Sequence, residues 1–219
     1  MKYTGTESSV SIPKEIDGMK VTAIGCDDRG RNGAFEGNSS IQTVTIPGTI
    51  TLISNLAFYK CSGLQQVLIG EGVEEIGEDA FYGCEYLQTV KIQGNTLKYI
   101  DDRAFYGCSI LDDFTIPSSV TKIGECAFAY CRGLSSIVIP DSVETLAGGA
   151  FGGCESLTSA VVGNGITSMS AAESNRDEDD NTDYYRFGIF ENCSKLESVV
   201  IGSKVENIGI DTFASTALK

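Results

Sequence analysis

The sequence contains no histidine and no tryptophan, and no apolar run approaches the roughly 18 residues a membrane-spanning helix needs. Each absence removes a class of function. Without histidine, the Ser-His-Asp and Cys-His arrangements of nucleophilic catalysis cannot be assembled, and histidine-dependent metal sites are excluded. Neither GxGxxG nor GxxxxGK[ST] occurs, so phosphate-cradling loops are missing. The N-terminus, MKYTGTESSVSIP, has no apolar segment of the kind found in secretory signals. Positive charge is also scarce: 16 Lys and Arg stand against 30 Asp and Glu, for a net charge of −14. That field repels phosphate backbones and anionic lipid, which argues against nucleic acid and membrane insertion. Carboxylate pairs for glycoside hydrolysis remain available among 30 acids, yet nearly all of these fall at variable positions where solvation accounts for them.

What is present is a repeat. The pentapeptide Ala80–Cys84, AFYGC, returns at Ala104–Cys108. Aligned on this motif, Phe35, Phe58, Phe81, Phe105, Phe128, Phe151, Phe190 and Phe213 form one column, with a usual interval of 23 residues. Three positions after six of them stands a cysteine: Cys61, Cys84, Cys108, Cys131, Cys154 and Cys193. Six positions after the Phe stands an aliphatic residue, Ile41 or Leu64 for example. An alternating pair such as Val44/Ile46 or Val67/Ile69 follows, then a pair spaced i, i+3 such as Val73/Ile76.

Alternation places Val44 and Ile46 on one face of a short strand and Thr45 on the other. Pro47, Gly70, Pro117 and their equivalents stop each strand. The segment IGxxAFxxC fits a turn plus a single helical or 3₁₀ turn. No unit of this length can bury its apolar side alone, so the units must stack, strand beside strand, in one parallel sheet. The expected fold is a right-handed α/β repeat solenoid of about eight units, one domain over residues 1–219, with an irregular first unit near 10–25. The last unit carries no polar replacement at Ile208 or Phe213, so the sequence is expected to be part of a longer chain.

The pattern CxxLxxVxIPxxVxxIGxxAFxxC resembles the BspA-like leucine-rich repeats of bacterial surface proteins, and it extends from about Val10 to the end. The Cys sits on the opposite side of the unit from the Asn or Cys of the usual leucine-rich signature. The resemblance implies an exported, secreted or cell-surface bacterial protein that adheres to protein or glycan ligands, host surface or matrix proteins among them. It implies no catalysis, cofactor or metal. Alternative readings are a structural spacer presenting another module, and a carbohydrate-active enzyme.

Six in-register cysteines could be disulfides or metal ligands, but a straight column suits neither full pairing nor tetrahedral zinc. Buried, reduced thiols reaching nearby carbonyls are expected. Cys126 and Cys26 lie off the column and are expected to be the exposed thiols. Two units break the period at the same point. From Ile76 to Phe81 there are five steps, from Ile24 to Phe35 eleven, and from Met169 to Phe190 twenty-one. Insertions at one point of a solenoid leave from one face, where loops often bind. The longer inserted loop, about 170–187, ends in Tyr184, Tyr185, Arg186 and Phe187, residue types enriched at binding hot spots. Its oxygen-bearing side chains at Asp177, Asp179, Asn181 and Asp183 follow the spacing of calcium loops, but Thr182 and Gly188 stand where Gly and Glu belong, so a solvated acidic loop is expected. The second candidate surface is the outward strand column: Thr45, Leu68, Lys91, Thr115, Val138, Val161 and Val200. Its C-terminal half is an apolar stripe.

Overall fold

The computed structural model describes residues 3–25, 32–169 and 188–219. Each repeat forms one coil of a solenoid whose sides stack from unit to unit. The first side is built from four-residue strands. Thr43–Ile46, Gln66–Ile69 and Thr89–Ile92 pair in parallel, with Val44, Val67 and Val90 in register, and Ser9–Ser11 adds Val10 beside Val44. Ser136–Ile139, Ser159–Val162 and Ser198–Ile201 form a second parallel set. Between the sets, residues 113–116 form no strand and keep a single bridge, Asp113 to Thr89.

A second side carries a ladder that the sequence pattern did not reveal. Two-residue strands run in parallel from Ala23–Ile24 through Leu52–Ile53, Glu75–Ile76, Tyr99–Ile100 and Lys122–Ile123 to Thr145–Leu146. Ser168–Met169 pairs with Asn207–Ile208 in the same manner. The expectation of one parallel sheet is therefore corrected to ladders on two sides of the coil. A two-residue strand is too short to display alternation, so only its buried member, Ile76 for example, shows in the sequence.

The third side holds the AFxxC segment. It is a chain of overlapping β-turns, not the expected helical or 3₁₀ turn, and no helix occurs among the described residues. In one unit, the amides of Ala57, Tyr59 and Cys61 donate three residues back, to Ser54, Leu56 and Phe58. The alternate amides of Phe58 and Lys60 donate instead to Ala80 and Tyr82 of the next unit. This alternation needs left-handed backbone two residues before and two after the Phe, and Leu56 (φ 59°) and Lys60 (φ 53°) supply it. Gly83, Gly107 and Gly153 fill the second of these positions in other units, where glycine pays no steric cost.

The core runs continuously from Ile12 to Leu196. Its spine is the Phe column, stacked from Phe35 to Phe213 with centroid steps between 4.9 and 5.8 Å. Tyr3 lies on the outer face of Phe35 at 5.0 Å and closes that end of the stack. The irregular first unit is an antiparallel hairpin, Glu15–Ile16 with Met19–Lys20. Its turn residues, Asp17 and Gly18, both have positive φ, as a type I′ turn demands.

The column cysteines are buried free thiols, and each donates to the carbonyl of the Phe one unit back: Cys61 to Phe35 at 3.0 Å, Cys131 to Phe105 at 3.2 Å, Cys193 to Phe151 at 3.2 Å. Burial pushes the thiols of Cys84, Cys108, Cys131 and Cys154 far up, so they stay protonated. The expected exposure of Cys126 is overturned: it is 3% exposed. Cys126 occupies the left-handed position two residues before Phe128, where Arg103 and Gly149 take the equivalent places in the adjoining units. A side chain as small as a thiol is covered at that corner. Burial raises its pKa to about 11, Glu125 adds to the rise and Arg103 opposes it. Cys26 lies outside the described residues.

Candidate functional site

Alternation along the strands sends every second side chain out of the coil, and parallel register places equivalent outward residues side by side. Thr45, Leu68 and Lys91 become neighbours in the first set of strands. Val138, Val161 and Val200 become neighbours in the second, at 60%, 38% and 59% exposure. The second group is a contiguous apolar stripe, with the exposed hydroxyl-bearing Ser136 and the half-buried Ser159 lying along it. Thr115, which the repeat places between the two groups, belongs to no strand.

The interruption has a side-chain cause. Phe114 stands where its neighbours have Val90 and Ile137, and it is buried at 6% exposure. Its ring meets Phe105 at 5.1 Å and Phe128 at 4.8 Å, both edge-on. A ring that reaches the Phe spine from this position displaces its own backbone relative to its neighbours. Asp112 and Asp113, poor strand formers, directly precede it. The Asp112 amide donates to the Gln88 carbonyl at 3.3 Å, and Asp113 keeps its bridge to Thr89. A hollow opens on each side of the segment. One, of about 360 Å³, is lined by Lys91, Asn95 and Pro117 among others; its companion, of about 250 Å³, is lined by Phe114, Ser136 and Val138 among others. The strand face thus carries a notch that borders the apolar stripe.

The short-strand ladder presents Glu75, Tyr99, Lys122 and Thr145 in register. Lys122 donates to Asp101 at 2.9 Å, and that hydrogen bond holds the ammonium pKa above its usual value. Partial burial and the nearby Asp101 push the Glu75 carboxyl upward. Arg103 braces this region, reaching Asp79 at 2.9 Å and also Glu78. These groups pair with one another, and no cluster suited to a metal occurs among the described residues.

The inserted-loop candidates Tyr184, Tyr185, Arg186 and Phe187, like the acidic positions 177–183, lie outside the described residues. One feature escaped the sequence reading. Tyr59, Tyr82 and Tyr106, each directly after a spine Phe, stack at 5.0 and 4.8 Å, and Tyr130 closes the row edge-on at 5.3 Å. Its signal in the sequence is the Tyr shared by AFYKC, AFYGC and AFYGC, a second aromatic column beside the Phe.

No curated protein matches the sequence significantly. Among solved structures, the T. pallidum leucine-rich repeat protein is similar at 26% identity and a TM-score of 0.70, covering 98% of this chain and 78% of that one. A leucine-rich cell surface protein from Faecalibacterium prausnitzii shares the fold at 21% identity and a TM-score of 0.55, covering 95% and 67% of the two chains. The family model described as the BspA type leucine rich repeat region matches in six copies over residues 30–158 and 174–219. With that span of repeats, its parallel ladders and its column of buried thiols, the chain belongs to the BspA-type leucine-rich repeat family.

Proposed function

We propose that this chain is a non-catalytic binding module exported to a bacterial cell surface, recognising a protein or glycan partner through its strand face. The family and fold are in general non-catalytic. The relative from Faecalibacterium prausnitzii is a cell surface protein, which supports the same location here. The observation that carries the reading is the stripe of Val138, Val161 and Val200. Three exposed valines in register, beside a notch, form an apolar patch that a solvated spacer has no use for.

The test is an array of matrix proteins and glycans, probed with the protein and with a Val138→Lys/Val161→Lys/Val200→Lys variant. Binding to at least one ligand is expected, falling at least tenfold in the variant while its melting temperature stays close to that of the parent. Absence of binding across the array supports the spacer instead. Binding that the triple variant retains moves the site elsewhere on the molecule.

A further inference from the structure

A further open groove lies away from the strand face. It lies on the turn side of the coil, holds about 550 Å³, and takes its floor from Tyr82, Tyr106, Gly83 and Gly107. Its origin is legible in the repeat. The position two after each spine Phe carries a side chain in some units, as at Lys60, Tyr130 and Asn192, all in left-handed backbone. In two successive units it is glycine instead, Gly83 and Gly107, at φ 65° and 70°. Two bare positions in a row leave a trough along the edge of the tyrosine stack. Lys60 closes one end; Tyr130, turned 65° from the Tyr106 plane, closes the other together with Arg132. Ser62, Ser109 and Glu85 stand along the trough.

We infer that this groove binds a linear β-1,4-linked glycan. The tyrosine rings of the stack cover one another's faces, so the trough receives their edges and the adjoining backbone, not a deep apolar pocket. The Tyr59-to-Tyr82 and Tyr82-to-Tyr106 steps, 5.0 and 4.8 Å, are close to the advance of one sugar ring in an extended β-1,4 chain. A chain lying along the solenoid axis therefore meets the same surroundings at each successive sugar. The wall groups suit hydroxyl recognition: two serines, one carboxylate and two cations. Of these, Arg132 gives its Nε to Glu155 at 2.9 Å and keeps its other N–H donors, and Ser109 donates to the Gly107 carbonyl and can still accept. A hydrophobic anchor of a protein partner finds no matching pocket here; a polyproline helix, at about 9.3 Å per turn, spans nearly two tyrosine steps but brings few groups to pair with the charged and hydroxyl-bearing walls, and the proline-rich control in the titration separates it from a glycan. The site is separate from the strand face, and its fate does not depend on that reading.

The experiment titrates the intact protein with cellohexaose, chitohexaose and xylohexaose, with maltohexaose and a proline-rich decapeptide as controls. The key variant is Gly83→Asn/Gly107→Asn. Asparagine tolerates left-handed backbone, and Asn192 already occupies the equivalent position at φ 60°, so the coil is retained while the trough is filled. A Cβ on Gly83 meets only the flexible Lys60 side chain, at 3.2 Å. Expected is saturable binding of at least one β-1,4 hexasaccharide and none of maltohexaose. Affinity should fall at least tenfold in the double variant and severalfold in Tyr82→Phe/Tyr106→Phe, with melting temperatures preserved. The inference is overturned if no β-1,4 hexasaccharide binds, if the double variant binds equally well, or if maltohexaose or the peptide is preferred.

Discussion

The two halves of the strand face are built on one plan and end in different chemistry. In the N-terminal half the outward column reads Thr45, Leu68, Lys91; in the C-terminal half it reads Val138, Val161, Val200. The inward columns are aliphatic in both halves, because both must cover the same Phe spine; most members are buried, and Ile92, Val199 and Ile201 are half-buried. Burial therefore constrains one face of each strand and leaves the other free to vary, which is where a binding surface can be written. Phe114 marks the boundary. It satisfies the core by giving up the ladder, and so separates the halves on the strand side while joining them through the spine.

The largest expected effect tests that join. Phe105→Ala removes a ring stacked on Phe81 and Phe128 and in edge contact with Phe114, and should cost about 3–5 kcal/mol in denaturant melts. In a stack held by nearest neighbours, hydrogen exchange should accelerate first in the adjoining units and last at the ends. A loss below about 1 kcal/mol would mean that the two halves are not joined through the spine.

Next in size is Phe114→Val, which gives this unit the side chain of its neighbour Val90. It should cost about 1–2 kcal/mol in lost ring contacts. In the native protein the amides of 114–116 should exchange faster than those of the flanking strands, and in the variant that difference should shrink. Equal protection in the native protein would mean that the ladder is continuous and the notch absent.

Thiol chemistry gives a third check, common to both halves. With the column thiols buried and donating to carbonyls, and Cys126 raised to about 11, no described cysteine should react quickly with a thiol reagent at pH 8. Rapid labelling localised to Cys126 by mass spectrometry would show that the corner it occupies opens.

The smallest effect concerns pH. The Lys122 pKa is raised in the folded state, so its contribution is complete below the unfolded value near 10.5 and fades as pH rises through the higher folded value. The pair with Asp101 is partly exposed, so Lys122→Met should change stability by no more than about 0.5 kcal/mol at pH 7. The native-to-variant difference should vanish above that pH. A difference that persists there would assign the effect to packing of the lysine stem.

The sequence made some layers of this molecule plain and hid others. The Phe, Cys and Leu columns were visible because every unit must bury the same positions, and the structure buries them, with only Phe213 at the end of the Phe column left half-buried. The Ala column even admits a polar exception, since Thr212 is buried with its hydroxyl donating to the Met169 carbonyl at 2.7 Å. What the sequence could not convey was set by the backbone. Turns that share amides between units leave the same apolar spacing as a helical turn, and two-residue strands leave no alternation at all. Cys126 was misjudged because lying off the column in sequence is not the same as lying outside the coil. Of the candidate surface, the valine stripe was readable from alternation alone, whereas the notch depended on which way Phe114 pointed.

The central claim is that the C-terminal half of the strand face is the recognition surface. Hydrogen-exchange footprinting with a ligand identified on the array tests it most directly. The account predicts added protection across Ser136–Ile139, Ser159–Val162 and Ser198–Ile201, with little change at Thr43–Ile46 and Gln66–Ile69. Protection confined to the N-terminal strands, or spread evenly over both halves, would contradict it.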